Sequence, residues 1–271
     1  MRPSTHSDVI SYVRAHAGAA HIILIDPDDA TPDVAAQRCV AAVSAGSRMI
    51  FVGGSSGTDE DNVHATVVAI QEALELCKWN ASQDAGLSET DWEVPVVLFP
   101  QGAAALSTSA DAITFMMLMN SLDRRFIIGE QVTGALPLKK ANVTPLSMGY
   151  LVCAPGGVVG EVGNADLFGP DDADKIQEYA TCAEYFGFDL LYLEAGSGAN
   201  TPVPPNLIQA ARESCNLTLI VGGGIRDGQT ARQAVQAGAD WVVTGNLTEQ
   251  FDDPDELQRI LSEFIINMRS T

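Results

Sequence analysis

Eight short apolar runs, the helical patterns between them, and the glycines and carboxylates just after the runs predict an α/β fold, a (β/α)8 TIM-type barrel. The runs fall at 21–25, 49–52, 94–99, 112–118, 149–152, 190–193, 218–221 and 241–244. Most are aliphatic or β-branched throughout, as in strands buried on both faces of a parallel sheet. A doubly wound open sheet is the alternative topology for the same alternation. The 271 residues match the usual size of one barrel. With no linker, low-complexity tract or internal repeat, the chain reads as a single domain spanning 1–271.

Helical patterns cover 31–45, 62–78, 171–186, 205–215, 228–237 and 254–268. The first opens with Thr31-Pro32 and stops before Gly46, suiting the two ends of a helix. The third opens near Asp171, Asp172 and Asp174, where carboxylates favour a helix N-terminus. Two stretches break the rhythm. Residues 80–93 are polar and acidic and read as a surface insertion. Residues 123–148, between strands four and five, form a connection too long for a tight turn, with room for a short helix or lid.

Fifteen basic residues against 35 acidic ones give a net charge of −20. That excludes a nucleic-acid binder working through a basic face. An acidic surface with only four lysines (Lys78, Lys139, Lys140 and Lys175) fits a salty habitat or an ordinary acidic protein equally. No run approaches the roughly 20 apolar residues of a membrane span, and the first residues lack the apolar core of a signal peptide. Cys39, Cys77, Cys153, Cys182 and Cys215 are dispersed, with no C-x-x-C pair. Reduced thiols and a cytoplasmic location follow as expectations.

In a barrel the chemistry sits at the C-terminal strand ends. There the sequence places Asp26 and Asp28 after strand one, Gly53-Gly54-Ser55 after strand two, and Glu194 through Gly198 after strand six. Gly223-Gly224 and Gly245-Asn246 follow strands seven and eight. Glycines let the backbone approach an anion, and these last two loops form the usual phosphate site of a barrel. Asp26 and Asp28 are hard oxygen donors suited to Mg²⁺, or else turn and cap residues; both readings stay open from the residues alone. Glu194 is placed to orient or deprotonate a substrate hydroxyl. His21 starts its strand, away from the chemistry, and reads as packed or surface; His6, His16 and His64 read as surface.

Taken in order, IDPD, VGGS, LFPQG, MLMNS, MGYLV, YLEAGSGA, IVGGGIR and VVTGN resemble the geranylgeranylglyceryl phosphate synthase family over nearly the whole chain. The resemblance implies a barrel with one modified outer helix. It implies a cytoplasmic homo-oligomer that joins sn-glycerol 1-phosphate to geranylgeranyl diphosphate in archaeal ether-lipid synthesis. Relatives with other prenyl chain lengths are the near alternative. Carried over by motif, Asp26 and Ser55 look like Mg²⁺ ligands, and Glu194 like the catalytic carboxylate. Tyr192, Leu193, Glu194, Ala195, Gly196, Ser197, Gly198, Gly223, Gly224, Gly245 and Asn246 look like the glycerol 1-phosphate site.

Two features depart from the family pattern. Many relatives carry a lysine beside the DPD motif, where this chain has Leu24 before it and Asp29 after it. Lys139, Lys140 or Arg226 are the candidate replacements. The FPG turn reads Phe99-Pro100-Gln101-Gly102. For the prenyl tail, composition offers Phe115, Met116, Met117 and Met119. The competing readings are a sugar-phosphate isomerase or aldolase barrel and a non-catalytic phosphate binder. A Schiff-base aldolase needs a lysine inside the barrel, and no predicted strand has one.

Overall fold

The computed structural model describes residues 6–54, 59–84, 86 and 88–270. Eight parallel strands close into a barrel in chain order, with β1 pairing β8. They are β1 Ala20–Ile25, β2 Met49–Val52, β3 Val96–Leu98, β4 Ala112–Leu118, β5 Thr144–Val152, β6 Leu190–Glu194, β7 Thr218–Gly222 and β8 Trp241–Thr244. Alternation along each strand splits the core in two. Ile22, Phe51, Val97, Met148, Tyr192 and Trp241 fill the lumen. Ile23, Ile50, Val96, Leu151, Val221 and Val242 pack outward beneath the helices. Burial on both sides is why these strands read as unbroken apolar runs.

The helices are α1 His6–Ala15, α2 Pro32–Ala45, α3 Glu60–Ser82, α4 Glu130–Ala141, α5 Gly157–Val162, α6 Ala173–Tyr185, α7 Pro205–Ser214, α8 Gly228–Gln236 and α9 Pro254–Arg269. Their ends follow local chemistry. The Thr31 hydroxyl caps α2, and Gly46 ends it in the left-handed conformation at φ 109°. Asp59 and Asn62 form a reciprocal capping box on α3.

Several boundaries differ from the sequence reading. β5 starts at Thr144, five residues before the predicted run. Pro145 sits at the strand's start, ahead of the first pair with β6, Met148–Leu190. The long connection at 123–148 is thereby shortened, and a π-helical turn, Arg125–Gly129, leads into α4. The insertion at 80–93 is partly regular: α3 runs on to Ser82, and Glu89–Trp92 is a 3-10 turn. Two helices went unread. α1 buries Val9 and Val13 against the lumen cluster, and the Trp241 indole N–H donates to the Val13 carbonyl at 3.2 Å, closing the barrel's lower end. α5 is short and follows β5. Between β3 and β4, residues 99–111 contain no helix, so the outer ring is modified there.

Candidate active site

At the upper end of the barrel one open groove of about 1670 Å³, its mouth included, touches the ends of β1, β2, β6, β7 and β8. Asp26, Gly54, Glu194, Gly223, Gly245 and Asn246 all line it. Tyr192 and Ser197 line it too; Leu193 and Ala195 are buried in the outer core. Ser55 lies outside the described residues.

Glu194 ends β6, buried beneath the groove floor. Its Oε1 accepts the Gly196 N–H at 2.6 Å, and its Oε2 accepts the Tyr150 hydroxyl at 3.3 Å. Burial pushes its pKa up; the Gly196 N–H and the Tyr192 and Tyr150 hydroxyls oppose that only in part. Tyr150 is a site residue missed in the sequence. It stands beside Tyr192 because β5 and β6 pair in that register, and their rings lie 5.1 Å apart. No spacing within the chain carries that information.

The glycine loops divide into two kinds. Several N–H groups are spent inside the protein: Gly198 donates to Asn246 Oδ1 at 2.9 Å, and Ala195 to the Gly222 carbonyl at 3.0 Å. By contrast, the N–H groups of Ser197, Gly223, Gly224, Gly245 and Asn246 donate to no other group among the described residues. These five residues converge on the groove as unsatisfied donors, which is what an anion requires. Gly223, at φ 77°, is tight for a second reason: a Cβ there would lie 2.2 Å from Glu194 Oε1 and 2.7 Å from the Gly196 nitrogen. Gly245 is open, with Leu24 3.6 Å from such a Cβ.

Asp26 follows β1 and lies over Gly54, where any Cβ would come within 2.0 Å of its Oδ2. Desolvation, opposed by the Asp28 N–H and reinforced by the charges of Asp29, Asp28 and Glu249, raises its pKa to about 6. Asp28 itself does not line the groove; its N–H donates to Asp26 Oδ1 at 3.0 Å, so it shapes the turn. Asp29 and Glu249 do line it, and neither was read as a site residue. Among the described residues no three His, Cys, Asp or Glu side chains converge as a ready metal cage.

Of the candidate cations, only Arg226 lines the groove, where it also donates to the Gly198 and Ala199 carbonyls. Lys139 and Lys140 end α4 on the exterior. All four lysines lie on α3, α4 and α6, so no strand offers a Schiff-base amine. His21 is buried outside the lumen between Ser47 and Thr244, at 2.7 and 2.8 Å, against Phe264.

Away from the polar end the groove turns apolar. It runs past Met116, Ile113 and Phe115 of β4 to Phe126, Leu138 and Val159. Ile113 belongs to the outer face of β4, reachable because no helix covers it between β3 and β4. Met117 and Met119 do not line the groove; Met119 packs towards Gly149. The β3 turn is seated by Glu130, which accepts the Ala103 N–H at 2.8 Å and pairs with Arg125 at 2.6 Å.

A parallel barrel with an anion-ready glycine end and an apolar side channel defines a phosphate-binding barrel enzyme for an amphipathic substrate. The chain belongs to the PcrB family, whose sequence profile matches residues 12–264. It is 41% identical to the geranylgeranylglyceryl phosphate synthase of Methanosarcina acetivorans over 87% of this chain and 89% of that protein. Among solved structures, the synthase of Thermoplasma volcanium superposes with a TM-score of 0.85 at 36% identity, covering 97% of this chain and 98% of that one. That of Thermoplasma acidophilum in complex with sn-glycerol-1-phosphate also gives 0.85, at 33% identity and 98% coverage of both.

Proposed function

We propose that this chain is a prenyltransferase that joins sn-glycerol 1-phosphate to geranylgeranyl diphosphate, giving geranylgeranylglyceryl phosphate and diphosphate. The observation that carries the reading is the set of five free N–H groups beside a buried carboxylate, continuous with an apolar channel. Relatives with the synthase activity in their names, and a similar structure in complex with sn-glycerol-1-phosphate, support the choice of substrates.

The phosphate of glycerol 1-phosphate sits on the loops after β6, β7 and β8. Pinning it there turns a bimolecular encounter into an oriented one. Glu194 orients the free terminal hydroxyl, and its raised pKa suits it to take the proton. The hydroxyl oxygen forms a bond to the first prenyl carbon, and the bond from that carbon to the diphosphate oxygen breaks. The apolar channel holds the chain and keeps water from the allylic centre.

Mg²⁺ fits this mouth. Asp26 is a desolvated oxygen donor in a negative neighbourhood, with no basic side chain in ion-pair distance among the described residues. Mg²⁺ commonly takes one or two carboxylates and completes its shell with phosphate oxygens. Asp26 would hold it, with Ser55 as the second expected ligand, and the ion would neutralise charge on the departing diphosphate. Asp26→Asn should cut turnover by about 100-fold or more while sn-glycerol 1-phosphate binding without metal changes little; near-wild-type turnover at ordinary Mg²⁺ would refute that role.

The cytoplasmic, homo-oligomeric state belongs to the same proposal; no helix among the described residues is long and apolar enough to cross a membrane. The function is tested with labelled sn-glycerol 1-phosphate and prenyl diphosphates of several lengths, with and without Mg²⁺. An ether lipid formed best from the geranylgeranyl substrate supports the reading. No ether product from any chain length would end it.

A further inference from the structure

The helix that walls the channel carries a second, outward stripe. Gln131, Gly134 and Leu138 face the groove. On the far side Val132 and Leu136, four residues apart, are each 67% exposed. The spacing extends both ways: Arg124 and Ile128 precede them at intervals of four, and Lys140 follows, all exposed. Leu122 and Val158 of α5 are exposed apolar residues too, and the Leu122 N–H donates to the carbonyl of Asn164, just past α5, at 2.8 Å. Charge on this segment runs against the rest of the chain. Residues 123–141 hold Arg124, Arg125, Lys139 and Lys140 against only Asp123 and Glu130, in a protein of net charge −20. Arg125 is engaged with Glu130, whereas Arg124, Lys139 and Lys140 form no ion pair among the described residues.

We infer that the outer face of α4 docks on a lipid surface bearing anionic headgroups, with α4 lying between that surface and the channel. Exposed apolar side chains flanked by basic ones suit the interface of an anionic bilayer, where the charges supply the attraction. Basic side chains near anionic headgroups attract within a Debye length of about 8 Å, so the distant acidic surface does not cancel them. A second copy of this chain, packed about a two-fold axis, would instead bring these like charges together. The inference rests on the proposed function in one respect: the chains that enter and leave the channel are lipid.

Flotation of the full-length protein tests it, using phosphatidylcholine vesicles with and without one-third phosphatidylglycerol. Wild type should float with the phosphatidylglycerol vesicles at least about 10-fold more than with phosphatidylcholine alone. Val132→Gln with Leu136→Gln should abolish flotation. Lys139→Gln with Lys140→Gln should reduce it to the phosphatidylcholine level. None of these four residues lines the groove, so turnover of a soluble short-chain prenyl diphosphate should stay at the wild-type value in both variants, showing that they fold. Flotation is read without turnover, so a chain that floats but makes no ether would refute the proposed function alone. Wild type remaining unbound to both vesicles, or variants floating as well as wild type, would overturn the docking. So would a dimer that the Val132→Gln, Leu136→Gln variant splits while wild type fails to float, since the face would then cover a second copy.

Discussion

The two sides of the barrel mouth are held by different physics. Around β6, β7 and β8 the loops are locked to each other: Gly198 to Asn246, Gly196 to Glu194, and Arg226 to the Gly198 and Ala199 carbonyls. What faces the groove there is backbone, fixed by turn geometry. On the β3–β4 side the locks are side chains of α4: Glu130 holds the Ala103 N–H, and Gln131 donates to the Met116 and Phe126 carbonyls. The channel is made by a missing helix and walled by Phe126, Leu138 and Val159. The first side discriminates by where donors stand, and the second accepts whatever apolar chain fits. A synthase for a charged head and a greasy tail needs both.

The largest effect that would break this division is chemical. Glu194→Gln keeps shape and volume but removes the carboxylate, and turnover should fall by about 100-fold or more. Steady-state rates with both substrates saturating decide it; a rate within a few-fold of wild type would leave Glu194 a packing residue.

Next comes the claim that the glycine side is locked. Gly223→Ala places a Cβ against Glu194 and the Gly196 backbone at a positive φ. It should cost about 2–3 kcal/mol, seen in denaturant unfolding. Gly245→Ala meets only Leu24 at ordinary contact distance and should unfold like wild type. Equal stability of the two variants would mean the loops are not held as described.

Acid separates the mouth from the shell behind it. Burial lowers the pKa of His21 to about 3, so it stays neutral when folded but takes a proton when unfolded. Its contribution is therefore complete above its unfolded value near 6.5 and is lost as pH falls towards 3. Stability should drop by about 2 kcal/mol between pH 7.5 and pH 5 on this account. Glu194 has the opposite sign: its folded pKa is raised, so acidification favours the folded state. Denaturant unfolding of His21→Gln across that range should show the loss removed; an unchanged slope would assign the acid sensitivity elsewhere.

The glycine side was legible in the sequence because its constraints are local. Gly223, Gly224 and Gly245 directly follow apolar runs, and Glu194 ends one. The strands were legible for a similar reason, since burial on both faces leaves an unbroken apolar signature. The channel was not legible. An absent helix at 99–111 leaves no pattern, and Phe115 and Met116 line the channel where Met117 and Met119 do not, although composition treats all four alike. Tyr150 required the β5–β6 register. Pro145, a residue that strands admit mainly at their ends, obscures the start of β5, and α5, six residues long, is too short to announce itself.

The most direct test of the two-sided mouth is calorimetric titration of each substrate separately into Gly245→Ala and wild type. A methyl group at Gly245 stands where backbone donors meet phosphate, so sn-glycerol 1-phosphate affinity should fall by about 10-fold, or about 1.4 kcal/mol. Prenyl diphosphate affinity should stay at the wild-type value, because Asp26 and the apolar channel are untouched. Loss of the prenyl substrate alone, or unchanged affinity for both, would contradict the account.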